Sequence, residues 1–254
     1  MPQTEMTCHS PATEQAPDGA TRIALIGSPN GGKTSIFNQL TGLHAKTGNY
    51  PGVTVSRSEG VARIHDHTFA IEDLPGTYSL SPISPDEQVV VDVLDGRMDQ
   101  VSAPDALVVV ADATALRRSL LLLAEVLPRH LPTAVVVTMT DELRRRQGSL
   151  DVTALSQALG VPVVAVVANR GIGIGELRNL LTTWHDWDRP PLDPPGRSSE
   201  LAGWVDSVLD TAGYEDPDPD SRTERIDKVL LHPVWGTIVF FAVTVSYTHL
   251  TLPT

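Results

Sequence analysis

Cysteine is almost absent from this sequence: Cys8 is the only one. An intramolecular disulfide is therefore excluded, and so is a metal site built on several thiolates. Basic residues are also scarce, with 19 Lys and Arg against 31 Asp and Glu and a formal net charge of −12. A broad nucleic-acid footprint needs a basic face, so RNA or DNA is not expected as a partner. The first twenty residues have neither an apolar core nor a basic start. We therefore expect no N-terminal secretory signal and a cytosolic N-terminus. A membrane-spanning helix needs about 20 apolar residues. The one strongly apolar run with aromatics covers thirteen, Pro233 to Val245, before a polar stretch at Ser246–Thr254 that contains Pro253. What the sequence does have is core: 41% of its 254 residues are hydrophobic, which rules out global disorder.

Between Arg22 and Trp187 short β-branched runs alternate with helical stretches. The runs are Ile23–Ile26, Phe69–Glu72, Ala106–Ala111, Ala134–Val137 and Val163–Val167, mostly apolar throughout. That pattern suits strands buried on both faces of a parallel sheet. Lys33–Leu40, Asp86–Leu94, Leu116–Leu127, Asp151–Leu159 and Gly175–Leu181 read as helices. Ser56–Ile64 and Thr68–Glu72, joined at His65-Asp66-His67, read as a hairpin that adds one antiparallel strand. The expected fold is α/β, a doubly wound, mostly parallel six-stranded sheet with a small α-helical appended domain. Residues 1–21 read as a disordered leader and 22–188 as the sheet domain. A proline-rich linker covers 189–198, a helical domain 199–231, the start of a first transmembrane helix 232–245 and an atypical tail 246–254. Within the helical part, Glu200–Thr211 presents Leu201, Trp204, Val205, Val208 and Leu209 on one face, a second helix is expected over Thr223–Leu231, and Glu215–Asp220 reads as a solvated linker.

Gly27–Thr34 reads GSPNGGKT and fits G-x-x-x-x-G-K-[ST] after a buried strand and before a helix. In such a loop the backbone N–H groups and the helix dipole face phosphates, Lys33 reaches the β- and γ-phosphates, and the Thr34 hydroxyl ligates Mg²⁺. Asp73, Leu74, Pro75 and Gly76 read DLPG at the end of a strand. Such a segment can be a simple turn, or Asp73 can hold Mg²⁺ through water while the Gly76 N–H meets a γ-phosphate. Thr54, in Asn49–Val55 (NYPGVTV), either begins a strand or completes the Mg²⁺ shell. Thr138–Asp141 reads TMTD after the strand Ala134–Val137. At that strand end Asp141 either caps the next helix or accepts two hydrogen bonds from guanine, which adenine cannot offer. Val167, Ala168 and Asn169 (VAN) follow the last strand, where the Ala168 N–H can donate to the guanine carbonyl. His65 and His67 read as exposed turn residues rather than a metal pair.

In this order the segments resemble the five guanine-nucleotide boxes of a small G domain. The resemblance sharpens to one family, ferrous iron transport protein B. It is carried by IALIGSPNGGKTSIFNQLTG (Ile23–Gly42), TGNYPGVTV (Thr47–Val55), EDLPGTYSLSPISPDE (Glu72–Glu87), VVADATALRRSLLL (Val109–Leu122), LSQALGVPVV (Leu155–Val164) and RIDKVLLHPVWG (Arg225–Gly236). The family has a cytosolic G domain, then a small helical domain, then a polytopic ferrous-iron permease. The resemblance implies a K⁺-stimulated GTPase switch on an inner-membrane iron importer, facing the cytoplasm. Its cofactors would be Mg²⁺ and K⁺, GTP and GDP its substrate and product, and the rest of the permease its partner in cis.

The same resemblance assigns residues. Gly27, Ser28, Pro29, Asn30, Gly31, Gly32, Lys33, Thr34 and Ser35 form the phosphate loop, with Asn30 helping to hold K⁺. Gly52, Val53 and Thr54 belong to the first switch, and Asp73 through Gly76 to the second. Thr34, Thr54 and Asp73 serve Mg²⁺. Thr138, Met139 and Asp141, with Val167, Ala168 and Asn169, hold the base. Asn30, Lys33, Thr54 and Gly76 carry hydrolysis. Thr77 stands where many G proteins have a water-orienting glutamine, so backbone around Asn49–Val53 takes that role. Two departures stand out: Thr138 replaces the usual Asn, and Val167 and Asn169 replace polar residues. Thr138 is shorter than Asn and lacks the amide, which predicts weaker guanine affinity. Two other function classes fit parts of the pattern: a K⁺-dependent GTPase of RNA modification or ribosome assembly, and a nucleotide-binding regulatory module with little turnover.

Overall fold

The structure, a computed structural model, describes residues 17, 19–43, 45–190, 193–219, 228 and 230–251. The first helix-bearing half runs β1 (Thr21–Gly27), α1 (Lys33–Thr41), β2 (Ala45–Asn49), β3 (Ser56–Ile64), β4 (His67–Asp73) and α2 (Pro85–Leu94). It continues with β5 (Ala106–Asp112), α3 (Leu116–Val126), β6 (Thr133–Thr138), α4 (Thr140–Arg145), α5 (Val152–Leu159), β7 (Val163–Ala165) and α6 (Ile174–Thr182). Two more helices follow, α7 (Ser198–Thr211) and α8 (Trp235–Thr251). The strands form one sheet in the order β2-β3-β4-β1-β5-β6-β7. β1 pairs in parallel with β4 and β5, and β5-β6-β7 continue in parallel, while β2-β3-β4 are antiparallel.

The doubly wound α/β sheet is as expected, but it has seven strands, not six. The additional strand is β2, AKTGN, which pairs with β3 from Ala45 opposite Gly60 to Asn49 opposite Ser56. Its residues are mostly exposed and polar, so no hydrophobic alternation announces it. Its order comes from ladder hydrogen bonds to its neighbour. The helix α4 was expected only as the one Asp141 would cap, because its six residues, TDELRR, are too few for an apolar period to show; its N-cap is Met139, and Asp141 lies in its first turn. The final strand is shorter than its apolar run, ending at Ala165, because Val167 turns off to bridge Ile172.

Ile23 and Leu25 of β1 face one core layer with Phe37, Phe69, Ile71 and Leu177, while Ala24 and Ile26 face the other with Leu74, Val109, Leu120 and Val137. This alternation follows from the two-residue period of a strand. The second layer also takes in Val205, Val208 and Leu209 of α7, so this helix packs against the sheet domain itself. An ion pair, Arg117 to Asp206 at 2.5 Å, joins α3 to α7 at the surface. Trp187 is buried and donates from Nε1 to the Leu180 carbonyl at 3.1 Å, closing the end of α6.

The segment after α7 is not a free linker. Ser149 and Glu215 exchange backbone hydrogen bonds at 3.3 and 3.0 Å, and Asp218 N–H donates to the Arg146 carbonyl at 2.7 Å. Arg146 Nε in turn donates to the Asp218 carbonyl at 2.6 Å. The strap thus fastens to the chain that leaves α4. Most of the leader and most of the helix expected over 223–231 lie outside the described residues, and Thr21, read as the leader's last residue, already begins β1. α8 continues through the polar stretch to Thr251, where the sequence suggested a break at Ser246. Among the described residues, no helix is long and apolar enough to cross a membrane.

Candidate functional site

β1 ends at Gly27, and the chain turns through Ser28–Gly32 into α1. Asn30 takes a positive φ of 63° and Gly32 one of 88°. The second is a left-handed conformation that favours glycine and caps α1 without a side chain. Gly31 N–H closes back on the Ser28 carbonyl at 3.3 Å. Ser28, Pro29, Asn30, Gly32, Lys33, Thr34 and Ser35 line a cavity of 580 Å³, with Gly76, Asp86 and Met139 opposite. A second cavity of 200 Å³ is lined by Gly32, Ser35, Thr138, Met139, Asp141, Glu142, Val167, Ala168 and Asn169. Gly32, Ser35 and Met139 belong to both walls, so the two cavities adjoin.

Beneath the first cavity, the end of β4 meets the start of α1. The Lys33 ammonium donates to Asp73 Oδ1 and to the Leu74 carbonyl. The Thr34 hydroxyl donates to Asp73 Oδ2 at 2.9 Å. Lys33 and Asp73 are both buried, so their opposite charges are held together away from solvent. Pro75 is half-buried beside them. Gly76 passes so close to the phosphate loop that a Cβ there would lie 2.9 to 3.0 Å from three atoms of Pro29. Thr77 is fully buried, its N–H donates to the Gly27 carbonyl at 3.0 Å, and its hydroxyl bonds the Ser79 carbonyl at 2.5 Å. Its side chain is thus engaged within the chain and does not line the cavity.

At the base end, the buried Thr138 hydroxyl reaches the Gly31 carbonyl at 2.6 Å and the Ala111 carbonyl at 3.2 Å. The short Thr therefore still ties its box to the phosphate loop, which the comparison with Asn did not anticipate. Met139 adopts a positive φ of 56°, and Asp141 sits in the first turn of α4. Arg170 Nη2 lies 3.8 Å from Asp141 Oδ2. Val167 is nearly buried, and the following turn Ala168–Arg170 is pinned because Gln39 Nε2 donates to the Ala168 carbonyl at 3.0 Å.

The structure thus brings together the phosphate loop, Asp73 to Gly76 and both base segments. It does not bring in Gly52, Val53 and Thr54, which are exposed and line neither cavity. Sequence reasoning missed Asp86 and Glu142 in the cavity walls and Gln39 behind Ala168. A signal existed for Asp86: Ser84 and Glu87 form a capping box around it, which fixes it in the first turn of α2. His65 has a positive φ of 52°, and no group of three His, Cys, Asp or Glu that can hold a metal ion occurs among the described residues.

Residues 21–181 match the family Ferrous iron transport protein B. The chain belongs to this family. It is 45% identical over 197 residues to the Fe(2+) transporter FeoB of Salmonella choleraesuis, covering 76% of this chain and 24% of that protein. It is 37% identical to the solved G domain of the T. maritima FeoB iron transporter, with a TM-score of 0.59, covering 66% of this chain and 99% of that one. The cytosolic domain of the same transporter in its GMPPNP form is 30% identical, with a TM-score of 0.63, covering 92% and 87%. The sheet and its phosphate loop are therefore a P-loop G domain of this family. The chain spans between about a fifth and two fifths of the length of the curated relatives it matches.

Proposed function

We propose that this chain is the guanine-nucleotide switch of a membrane ferrous-iron importer and hydrolyses GTP to GDP and phosphate. The observation that carries the reading is the junction of Lys33, Thr34 and Asp73 beneath one cavity, continuous with a second that Asp141 overlooks. A triphosphate would lie along the first cavity, where the N–H groups of the loop and the α1 dipole attract anions. Lys33 would exchange the Leu74 carbonyl for a phosphate oxygen. Asp141, at the rim of the second cavity, would accept from the two guanine donors, and the Ala168 N–H would meet the base carbonyl.

The donor set fits Mg²⁺: a hydroxyl and a carboxylate oxygen lie 2.9 Å apart at Thr34 and Asp73, and hard cations prefer oxygen. Thr54 would join them when its loop moves in. Asn30, in the wall of the first cavity, offers a neutral oxygen suited to K⁺. When bound, these cations neutralise charge on the phosphates. With Thr77 turned inward, backbone of 49–53 would orient the attacking water.

The domain division 22–188 and 199–231 remains part of this proposal, as does attachment through α8 to the rest of the permease in an inner membrane, with this segment in the cytoplasm. Exposed Ile238, Phe240, Phe241, Val243 and Val245 on α8 support that attachment. The relatives reported above favour iron transport over RNA modification. The test is GTP hydrolysis in matched KCl and NaCl. Wild type should turn over faster in KCl, and Asn30→Ala should lose that difference. Loss of such a charge typically lowers rate by on the order of 10³-fold. Equal wild-type rates in both salts would count against K⁺, and no phosphate release in either would leave only a nucleotide-binding module.

A further inference from the structure

Beneath the loop that carries Thr54 lies a buried cluster that touches neither cavity. Tyr50 is 1% exposed and packs in the core layer of Val55, Leu74, Leu80 and Val90. Its hydroxyl donates to Glu72 Oε1 at 3.0 Å. Glu72, itself 4% exposed, also accepts from Arg57 Nε at 2.9 Å and pairs with Arg22 Nη2 at 3.3 Å. The Arg57 guanidinium stands 5.8 Å from the centre of the Tyr50 ring. Burial, and then the Glu72 charge, hold the Tyr50 phenol well above its ordinary pKa, so it remains a donor.

The loop above is closed at its base. Tyr50 N–H donates to the Val55 carbonyl at 2.9 Å, and Val53 N–H to the Tyr50 carbonyl at 3.3 Å. Both ends, Tyr50 and Val55, are planted in the core, and Gly52, Val53 and Thr54 project into solvent between them. Glu72 and Asp73 are consecutive on β4, so their side chains leave opposite faces of the sheet. One carboxylate fastens the loop, and the next holds Lys33 and Thr34.

We propose that the Tyr50 hydroxyl and the Glu72 carboxylate form a latch that holds the Thr54 loop away from the phosphate cavity. Tyr50 is then a positioning residue that sets the preference for a nucleoside triphosphate over a diphosphate. The latch acts on the guanine-nucleotide site proposed above and rests on that reading. A γ-phosphate recruits Thr54, and the loop can follow only by pulling on its planted ends. A diphosphate makes no such demand. Latch strength therefore opposes triphosphate binding alone.

Tyr50→Phe keeps the ring in the core and removes the hydroxyl. It leaves Glu72 with both arginine donors, so no buried carboxylate is stranded. Hydrogen bonds to charged groups are strong enough that GMPPNP affinity should rise about tenfold, with GDP affinity unchanged. Calorimetry with GDP and GMPPNP on wild type and Tyr50→Phe reads the ratio directly, with a thermal melt as the folding control. Wild type that binds neither nucleotide would remove the proposed site itself. Wild type that binds both, with an unchanged ratio in Tyr50→Phe, would overturn the latch and leave the site standing. Hydrogen exchange gives a second readout that needs no nucleotide. The Tyr50 and Val53 amides should exchange faster in Tyr50→Phe while the β1 amides do not change, and equal exchange at all of them overturns the latch.

Discussion

The Thr138 hydroxyl at the end of β6 donates to the Gly31 carbonyl of the phosphate loop at 2.6 Å. Residues 107 positions apart are thereby joined, which ties the end of β6 to the loop between β1 and α1. Thr138→Val preserves the shape of the side chain and deletes the donor. Leaving a buried acceptor unpaired costs about 1–3 kcal/mol. GDP affinity should fall roughly tenfold in calorimetry, with little change in the base preference. Thr138→Asn should tighten GDP and GTP by less than that, because the tie to the loop is already made. A Thr138→Val variant that binds GDP as wild type does would show that the tie has no bearing on the nucleotide.

Lys33 and Thr54 stand at opposite ends of the proposed cycle. The Lys33 ammonium already lies under the phosphate cavity, bonded to Asp73 and the Leu74 carbonyl. Lys33→Ala should abolish triphosphate binding, because it removes the one buried cation there and leaves Asp73 facing the phosphates. Thr54 is exposed and outside the cavity wall, so Thr54→Ala should retain binding and lose most hydrolysis. Titration with a fluorescent non-hydrolysable analogue separates the two, and tight binding by Lys33→Ala contradicts the assignment.

The strap after α7 gives an alkaline signature. Tyr214 donates from its hydroxyl to the Ala113 carbonyl at 3.0 Å. Burial, and then the neighbouring Asp216, push its phenol up to about 12 from an ordinary value of 10.0. A raised phenol means the folded state holds its proton more tightly than the unfolded chain does. The resulting stability is complete below pH 10 and is lost as pH rises through about 12. Tyr50 acts in the same direction. Tyr214→Phe should therefore be less stable than wild type at pH 8 and lose less on going to alkaline pH. Melting curves that fall in parallel for both proteins would dismiss the contribution.

What was legible in the sequence follows from where hydrophobic pattern and motif coincide. The five apolar runs became β1 and β4 to β7 because strands covered on both faces of a sheet read as near-continuous apolar runs. GSPNGGKT and DLPG met beneath one cavity because each follows a strand of the same sheet, β1 and β4, which are neighbours. β2 was invisible because AKTGN is stabilised by its ladder with β3 and not by burial. The strap was hidden for a related reason: EDPDPD reads as solvated because its attachment uses backbone groups of Glu215 and Asp218, which every sequence possesses. Gln39 entered from α1, whose periodicity reveals a buried face but not what the exposed face meets, and Glu142 from α4, which is too short to show a period at all.

Guanine selection should rest on Asp141. Its carboxylate lines the smaller cavity from the first turn of α4, half-exposed, with Arg170 Nη2 at 3.8 Å from Oδ2. At that distance the arginine is an ion-pair neighbour and not a hydrogen-bond donor, so the acceptor capacity of the carboxylate is still available. Guanine offers it two donors side by side, and adenine does not. A site built to accept two hydrogen bonds penalises a base that leaves them unmade, because its polar groups then lose solvent without gaining partners. Asp141→Asn turns one acceptor into a donor and should weaken GDP and GTP while ATP is little affected, so the preference for guanine collapses. Arg170→Ala should leave the preference intact, since the arginine lies outside the hydrogen-bonding shell. Calorimetry with GDP, GTP and ATP on wild type and both variants decides it. If ATP binds wild type as well as GTP does, Asp141 does not select the base, and Val167 and Asn169 in the same wall have opened the cavity to purine nucleotides in general.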